Sequence, residues 1–158
     1  TVEVFFANNQ ILFRSEHISF YTRLLEGNYP DTDRLIPTEF NTEATFNVAN
    51  LRFAMERARL LSNATQNGTV KLEFKNGVVS SHVHSPEVGR VNEEIDTSAV
   101  SGEDLSISFN PTYLIEALKA IDSEQVVIRF ISSVRPFTLV PEGNEQGFIQ
   151  LITPVRSN

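Results

Sequence analysis

TFNVANLRFAMERA at residues 45–58 and SFNPTYLIEALKAI at residues 108–121 carry the same pattern, an aromatic, an Asn and then a helical stripe, at an offset of 63 residues. Phe46 pairs with Phe109, Asn47 with Asn110, Leu51 with Leu114, Ala54 with Ala117 and Met55 with Leu118. In both copies a strand-like run gives way to a helix. The Asn reads as N-cap, its side-chain oxygen accepting a hydrogen bond from an open first-turn amide. Pro111 falls at the first helical position of the second copy, where its missing N–H leaves nothing unpaired. On a wheel of about 100° per residue, Val48, Leu51, Met55, Ala58 and Ser62 share one face, which should meet a sheet. Phe53 and Leu60 fall roughly opposite. An apolar pair there wants a second cover, either the sibling helix or another chain.

Each helix is followed by three strand candidates. The first set is TVKLEFK (69–75), VVSSHVHS (78–85) and EVGRVNEEID (87–96), with Asn76-Gly77 a strong hairpin turn. The second is QVVIRFI (125–131), PFTLVPE (136–142) and GFIQLITPV (147–155), with a loop at residues 142–145. A strand-helix-strand-strand-strand unit therefore occurs twice. Such a repeat predicts an α+β fold, two helices side by side on one face of a continuous antiparallel sheet.

Outside the repeat, residues 1–25 alternate like three strands: Val2, Val4 and Phe6, then Ile11 and Phe13, then Ile18 and Phe20, with a turn at Asn8-Asn9. Three strands have nowhere to bury an apolar face, so they read as the end of a domain whose remainder is elsewhere. Residues 27 to about 43, with Pro30 and Pro37, read as a linker. Within it GNYPDTDRLIP (27–37), and at the far end LITPVR (151–156), are apolar-basic segments stiffened by Pro. Pro lacks an N–H and extends its predecessor, so both fit poorly inside a sheet, and a terminal segment frays unless tied down. They form either a shallow groove for a partner peptide, or an edge strand and a linker that happen to carry Pro.

Composition narrows the classes. The 158 residues, 41% hydrophobic and 21% charged, allow one domain with its own core plus a piece of another. A chain opening at Thr1 is expected to be part of something longer. With no Cys there is no disulfide or thiolate chemistry, which suits a reducing compartment. No apolar run has the length of a membrane span or signal peptide. A net charge of −7 argues against simple electrostatic adhesion to DNA or anionic lipid.

Catalytic and metal signals are thin. No P-loop, nucleophile elbow or paired-carboxylate signature occurs. Of the histidines His17, His82 and His84, the last two share a strand face as a possible two-point metal grip, without a third ligand. Glu93, Glu94 and Asp96 form an acidic run at a strand end that reads as a solvated edge. Asn63-Ala64-Thr65 and Asn67-Gly68-Thr69 match glycosylation acceptors, but without a secretory signal they read as a loop. No catalytic residue, metal or cofactor is expected.

The Asn-capped duplicate helices, the GNYPDTDRLIP linker and the terminal ITPVR resemble the bacterial DNA polymerase III beta subunits, the replicative sliding clamps. The likeness covers essentially the whole chain. Residues 1–36 are similar to the end of that family's middle domain plus the interdomain linker, and residues 37–158 to its complete third domain. It implies the DNA clamp fold and a ring of two head-to-tail protomers, with helices lining a hole and sheets outside. A ring is held on duplex DNA by topology, so weak, non-specific phosphate affinity suits sliding. The inward cations implied are Arg52, Arg57 and Lys119. The function implied is that of a non-enzymatic processivity factor in cytoplasmic, nucleoid-associated DNA replication, binding short linear motifs of DNA polymerase, clamp loader and repair proteins. Carried over residue by residue, the peptide pocket comprises Pro30, Arg34, Leu35, Asn110, Tyr113, Val134, Arg135, Pro136, Leu151, Thr153, Pro154, Val155 and Arg156. The ring seam falls on Leu60 and Leu61, covered by a neighbouring protomer's first domain. This chain alone is therefore expected to be monomeric or loosely associated, and the full-length protein a homodimer. A truncated β-rich extracellular interaction domain is the alternative, though it leaves the duplicated helices unexplained. A metal-assisted hydrolase is a third.

Overall fold

Two strand-to-helix junctions organise most of the chain, and both are capped as the paired asparagines require. The Asn47 side chain accepts from the Asn50 N–H at 3.0 Å, and Asn110 from the Thr112 N–H at 2.9 Å. The computed structural model describes residues 1–28, 31–63, 68–85, 89–143 and 147–156. It divides into two units, Thr1–Asp33 and Arg34–Asn158.

The first unit is an antiparallel sheet of β1 (Glu3–Phe6), β2 (Gln10–Arg14) and β3 (Ser19–Arg23), in that order. The Ala7 N–H donates to the Gln10 carbonyl at 2.9 Å and closes the Asn8-Asn9 turn. As expected of three strands alone, no side chain of this unit is buried among the described residues: Phe6 is 75% exposed, and Val4, Phe5, Phe20 and Tyr21 are open as well.

The second unit runs β4 (Thr42–Asn47), α1 (Val48–Ser62), β5 (Val70–Lys75), β6 (Val78–Ser85), β7 (Gly89–Ile95), β8 (Ala99–Gly102), β9 (Leu105–Phe109), α2 (Pro111–Lys119), β10 (Gln125–Phe130), β11 (Phe137–Pro141) and β12 (Gln150–Ile152). The linker ends slightly early, since β4 starts at Thr42. The Asn76-Gly77 turn has φ of 52° and 79°, both left-handed, as a two-residue hairpin turn demands.

The expected continuous sheet is instead two sheets, ordered β12-β11-β10-β4-β8 and β7-β6-β5-β9. Each half lends its first strand to the other. β4 pairs with β10, Phe46 opposite Val126, and β9 pairs with β5, Phe109 opposite Val70. The period-2 pattern says which face of a strand is buried but not which strand lies beside it, so the exchange was invisible locally. Strand β8, also unforeseen, lies beside β4 and leads into β9 of the other sheet. The crossing passes Gly102 at φ +98°, where a Cβ would sit 1.9 Å from the Asn41 carbonyl oxygen. Only glycine fits that contact.

The helices pack against each other, α1 mainly over β6 and β7 and α2 against β12. Leu51, Ala54, Met55, Ala58 and Ser62 of α1 are buried, close to the stripe read from the sequence. A chain of rings ties the two sheets together: Phe74 to Phe130 at 4.9 Å, Phe130 to Phe137 at 5.0 Å and Phe137 to Phe109 at 5.1 Å. Each such pair adds about 0.5–1.5 kcal/mol beyond its buried area. The sibling helix does not cover Phe53 and Leu60, which remain 48% and 75% exposed. Among the described residues no helix is long and apolar enough to cross a membrane.

Candidate functional site

Folding brings the linker from Arg34 onward and the Pro-containing tail to one end of the five-stranded sheet. There the start of β4 meets the end of β10 (Thr42 opposite Phe130), and the start of β11 meets the end of β12 (Phe137 opposite Ile152). Pro154 cannot continue the ladder, and beyond it the tail changes sheets. The Val155 N–H donates to the Ser108 carbonyl of β9 at 2.7 Å. A tail expected to fray is thus held by β11 on one sheet and β9 on the other.

A cleft of about 460 Å³ lies between α2 and this tail. Tyr113, Glu116 and Ala117 line one wall, and Gln150 to Thr153 the other. Tyr113 is 60% exposed, an aromatic ring left open beside the buried Ile152. Of the residues expected here, Tyr113, Leu151 and Thr153 are brought together. Glu116, Ala117, Gln150 and Ile152 were not foreseen. The helix members were legible in principle, because i, i+3 and i+4 from Tyr113 form one row on a helix.

A second cleft of about 570 Å³ has residues 34–39 as one wall and Ile131, Arg135 and Pro136 as the other. It unites Arg34, Leu35, Arg135 and Pro136. Asn41 pins this wall to the sheet end, donating through its backbone N–H to Phe130 at 2.8 Å and through its side chain to Ile131 at 3.1 Å. Of the remaining expected residues, Asn110 caps α2, Val134 is 58% exposed, Pro154 is half-buried, and Val155 and Arg156 are exposed. Pro30 lies outside the described residues.

The three cations expected to face DNA each sit beside a carboxylate. Arg52 lies 3.8 Å from Glu56, and Lys119 lies 2.9 Å from Glu116. Arg57 grips Glu93 of β7 with two nitrogens, Nε at 3.2 Å from Oε2, and the hydrogen bonding to Glu93 raises its pKa above the ordinary guanidinium value. Of the expected seam residues, Leu60 is open and Leu61 is half-buried against the core. Both ring nitrogens of His82 lie within hydrogen-bond distance of neighbours, Ser80 and Asn92, each at 2.9 Å, while His84 is exposed. Among the described residues no three His, Asp or Glu side chains converge as a metal site.

Comparison with known proteins places this architecture. Residues 33–156 match the family model for the DNA polymerase III beta subunit, C-terminal domain. The chain is 79% identical over 158 residues to the beta sliding clamp of Streptococcus pneumoniae, covering all of this chain and 42% of that protein. It is 55% identical over 159 residues to the beta sliding clamp of Lactococcus lactis, covering 99% of this chain and again 42% of the relative. The crystal structure of the DNA polymerase sliding clamp from Bacillus subtilis superposes with a TM-score of 0.84 at 37% identity, covering 99% of this chain and 41% of that one. The chain spans 42% of the length of these curated relatives. With duplicated Asn-capped helices, exchanged first strands and a matching family model over most of its length, the chain belongs to the DNA polymerase III beta subunit family.

Proposed function

We propose that this chain is the part of a sliding clamp that docks the proteins working on DNA. Residues 1–36 serve as the end of a middle domain with its linker, and residues 37–158 as the C-terminal domain. The observation that carries the reading is the open Tyr113 cleft, whose far wall is the chain's own tail, tied to β9 through Val155 and Ser108. Such a notch suits a short linear motif with one or two Leu or Phe anchors, each worth about 1.5–3 kcal/mol on burial. Less the cost of ordering the peptide, affinity falls near ~1 μM. That is tight enough to recruit a DNA polymerase, clamp loader or repair protein, and loose enough to exchange them. The clamp acts as a cytoplasmic, nucleoid-associated accessory and not as an enzyme.

Ring closure fits the same reading. In a head-to-tail homodimer of full-length protomers, Leu60 and Leu61 lie at the seam, where the exposure of Leu60 is relieved. Arg52, Arg57 and Lys119 face the DNA in the hole. Their carboxylate neighbours and the net charge of −7 weaken phosphate binding, which suits a ring held by topology.

The test is fluorescence anisotropy with a labelled peptide bearing adjacent Leu and Phe anchors. Tyr113→Ala should weaken binding at least about tenfold, since it removes most of one aromatic contact. Asn50→Ala, at the matching position of the first helix, should leave affinity unchanged. Equal binding by Tyr113→Ala and the unmodified protein would falsify the site.

A further inference from the structure

Glu116 is the one charged side chain lining the Tyr113 cleft among the described residues. It stands one helical turn beyond Tyr113, on the row that faces the tail. Its partner Lys119, 2.9 Å away, forms an i,i+3 surface pair in which both side chains are about half exposed. Such pairs are weak, so an incoming cation can share or displace that contact. The scaffold does not demand an acid at this point: the matching residue of the first helix is Phe53, which lines the corresponding cleft beside α1.

We infer that Glu116 is a specificity residue, selecting docking peptides that carry a Lys or Arg next to their hydrophobic anchors. This rests on the docking role proposed above and adds the charge of the ligand to it. Tyr113 supplies anchor contact, which is indifferent to charge. Glu116 supplies the difference between a basic and an acidic flank, as charges at a cleft rim set partner choice more than total affinity. The chain's overall −7 acts in the same direction at long range.

The experiment titrates the 158-residue chain with two labelled peptides that share the same Leu and Phe anchors and differ only by Lys or Glu beside them. At low salt the unmodified protein should bind the Lys peptide about two- to fivefold more tightly, the range of a single exposed ion pair. Glu116→Gln should erase most of that preference, Glu116→Lys should invert it, and raising the salt should flatten it. If both peptides bind, Tyr113→Ala abolishes both, and the Lys-over-Glu ratio stays the same in all Glu116 variants, the inference is overturned and docking stands. If Tyr113→Ala leaves both affinities untouched, the docking role itself is overturned and this selectivity falls with it.

Discussion

The two halves of the repeat each build a cleft between their helix and the third strand after it, and the two clefts differ in what spans them. In the first half the cleft between α1 and β7 encloses about 260 Å³. Arg57 reaches across it from the helix to Glu93 on the strand, and Glu94 and Asp96 make its wall acidic. In the second half the cleft between α2 and β12 encloses about 460 Å³, with Tyr113 standing open and the Glu116–Lys119 pair staying on the helix. Ala54 and Ala117 occupy matching positions in the two. Duplication therefore conserved the frame, and divergence decided which cleft an ion pair spans and which leaves an aromatic ring open.

The sharpest break is expected where the halves exchange strands. Gly102→Ala drives a methyl into the Asn41 backbone and should destabilise the second unit by more than about 4 kcal/mol in a denaturant titration. Gly77→Ala also has a left-handed backbone, but open space around it, so the loss there should be about 1–2 kcal/mol. Similar losses at the two glycines would show that close approach of β8 and β4 does not limit the fold.

The caps sharpen the comparison at a smaller scale. Asn47→Ala and Asn110→Ala should each lower stability by about 1 kcal/mol, read as a shift in the unfolding midpoint. Only the second should also weaken peptide docking, because α2 carries Tyr113. The smallest effect belongs to Arg57→Ala. Its ion pair is more than half exposed on the arginine side, so the stability change should be under about 1 kcal/mol and shrink further in salt. Since the guanidinium stays charged throughout, and is pushed further up by Glu93, no pH dependence between about 6 and 9 should arise from Arg57 itself. Peptide binding gained on Arg57→Ala would mean the ion pair alone separates the two clefts.

Much of the site was readable before folding. The linker and tail segments announced themselves by Pro among aliphatics, whereas Tyr113 was named only through the family resemblance. Glu116 could be found only as the next residue on the Tyr113 row, and Gln150 not at all, because it matters only through what lies across the cleft from it. The ties of Arg57 to Glu93 and of Val155 to Ser108 likewise join residues far apart in the chain.

What the amino-acid order settled alone is whatever depends on neighbours a few residues away. Asn47 and Asn110 cap helices because a side-chain oxygen reaches amides two or three positions on, and Asn76-Gly77 turns because both residues tolerate positive φ. Folding in three dimensions settled which strands became partners: β4 with β10, β9 with β5, and β8 bridging toward the second sheet at Gly102. A strand's alternation is satisfied by any suitable apolar neighbour, so the choice fell to long-range packing, above all to the rings of Phe74, Phe130, Phe137 and Phe109.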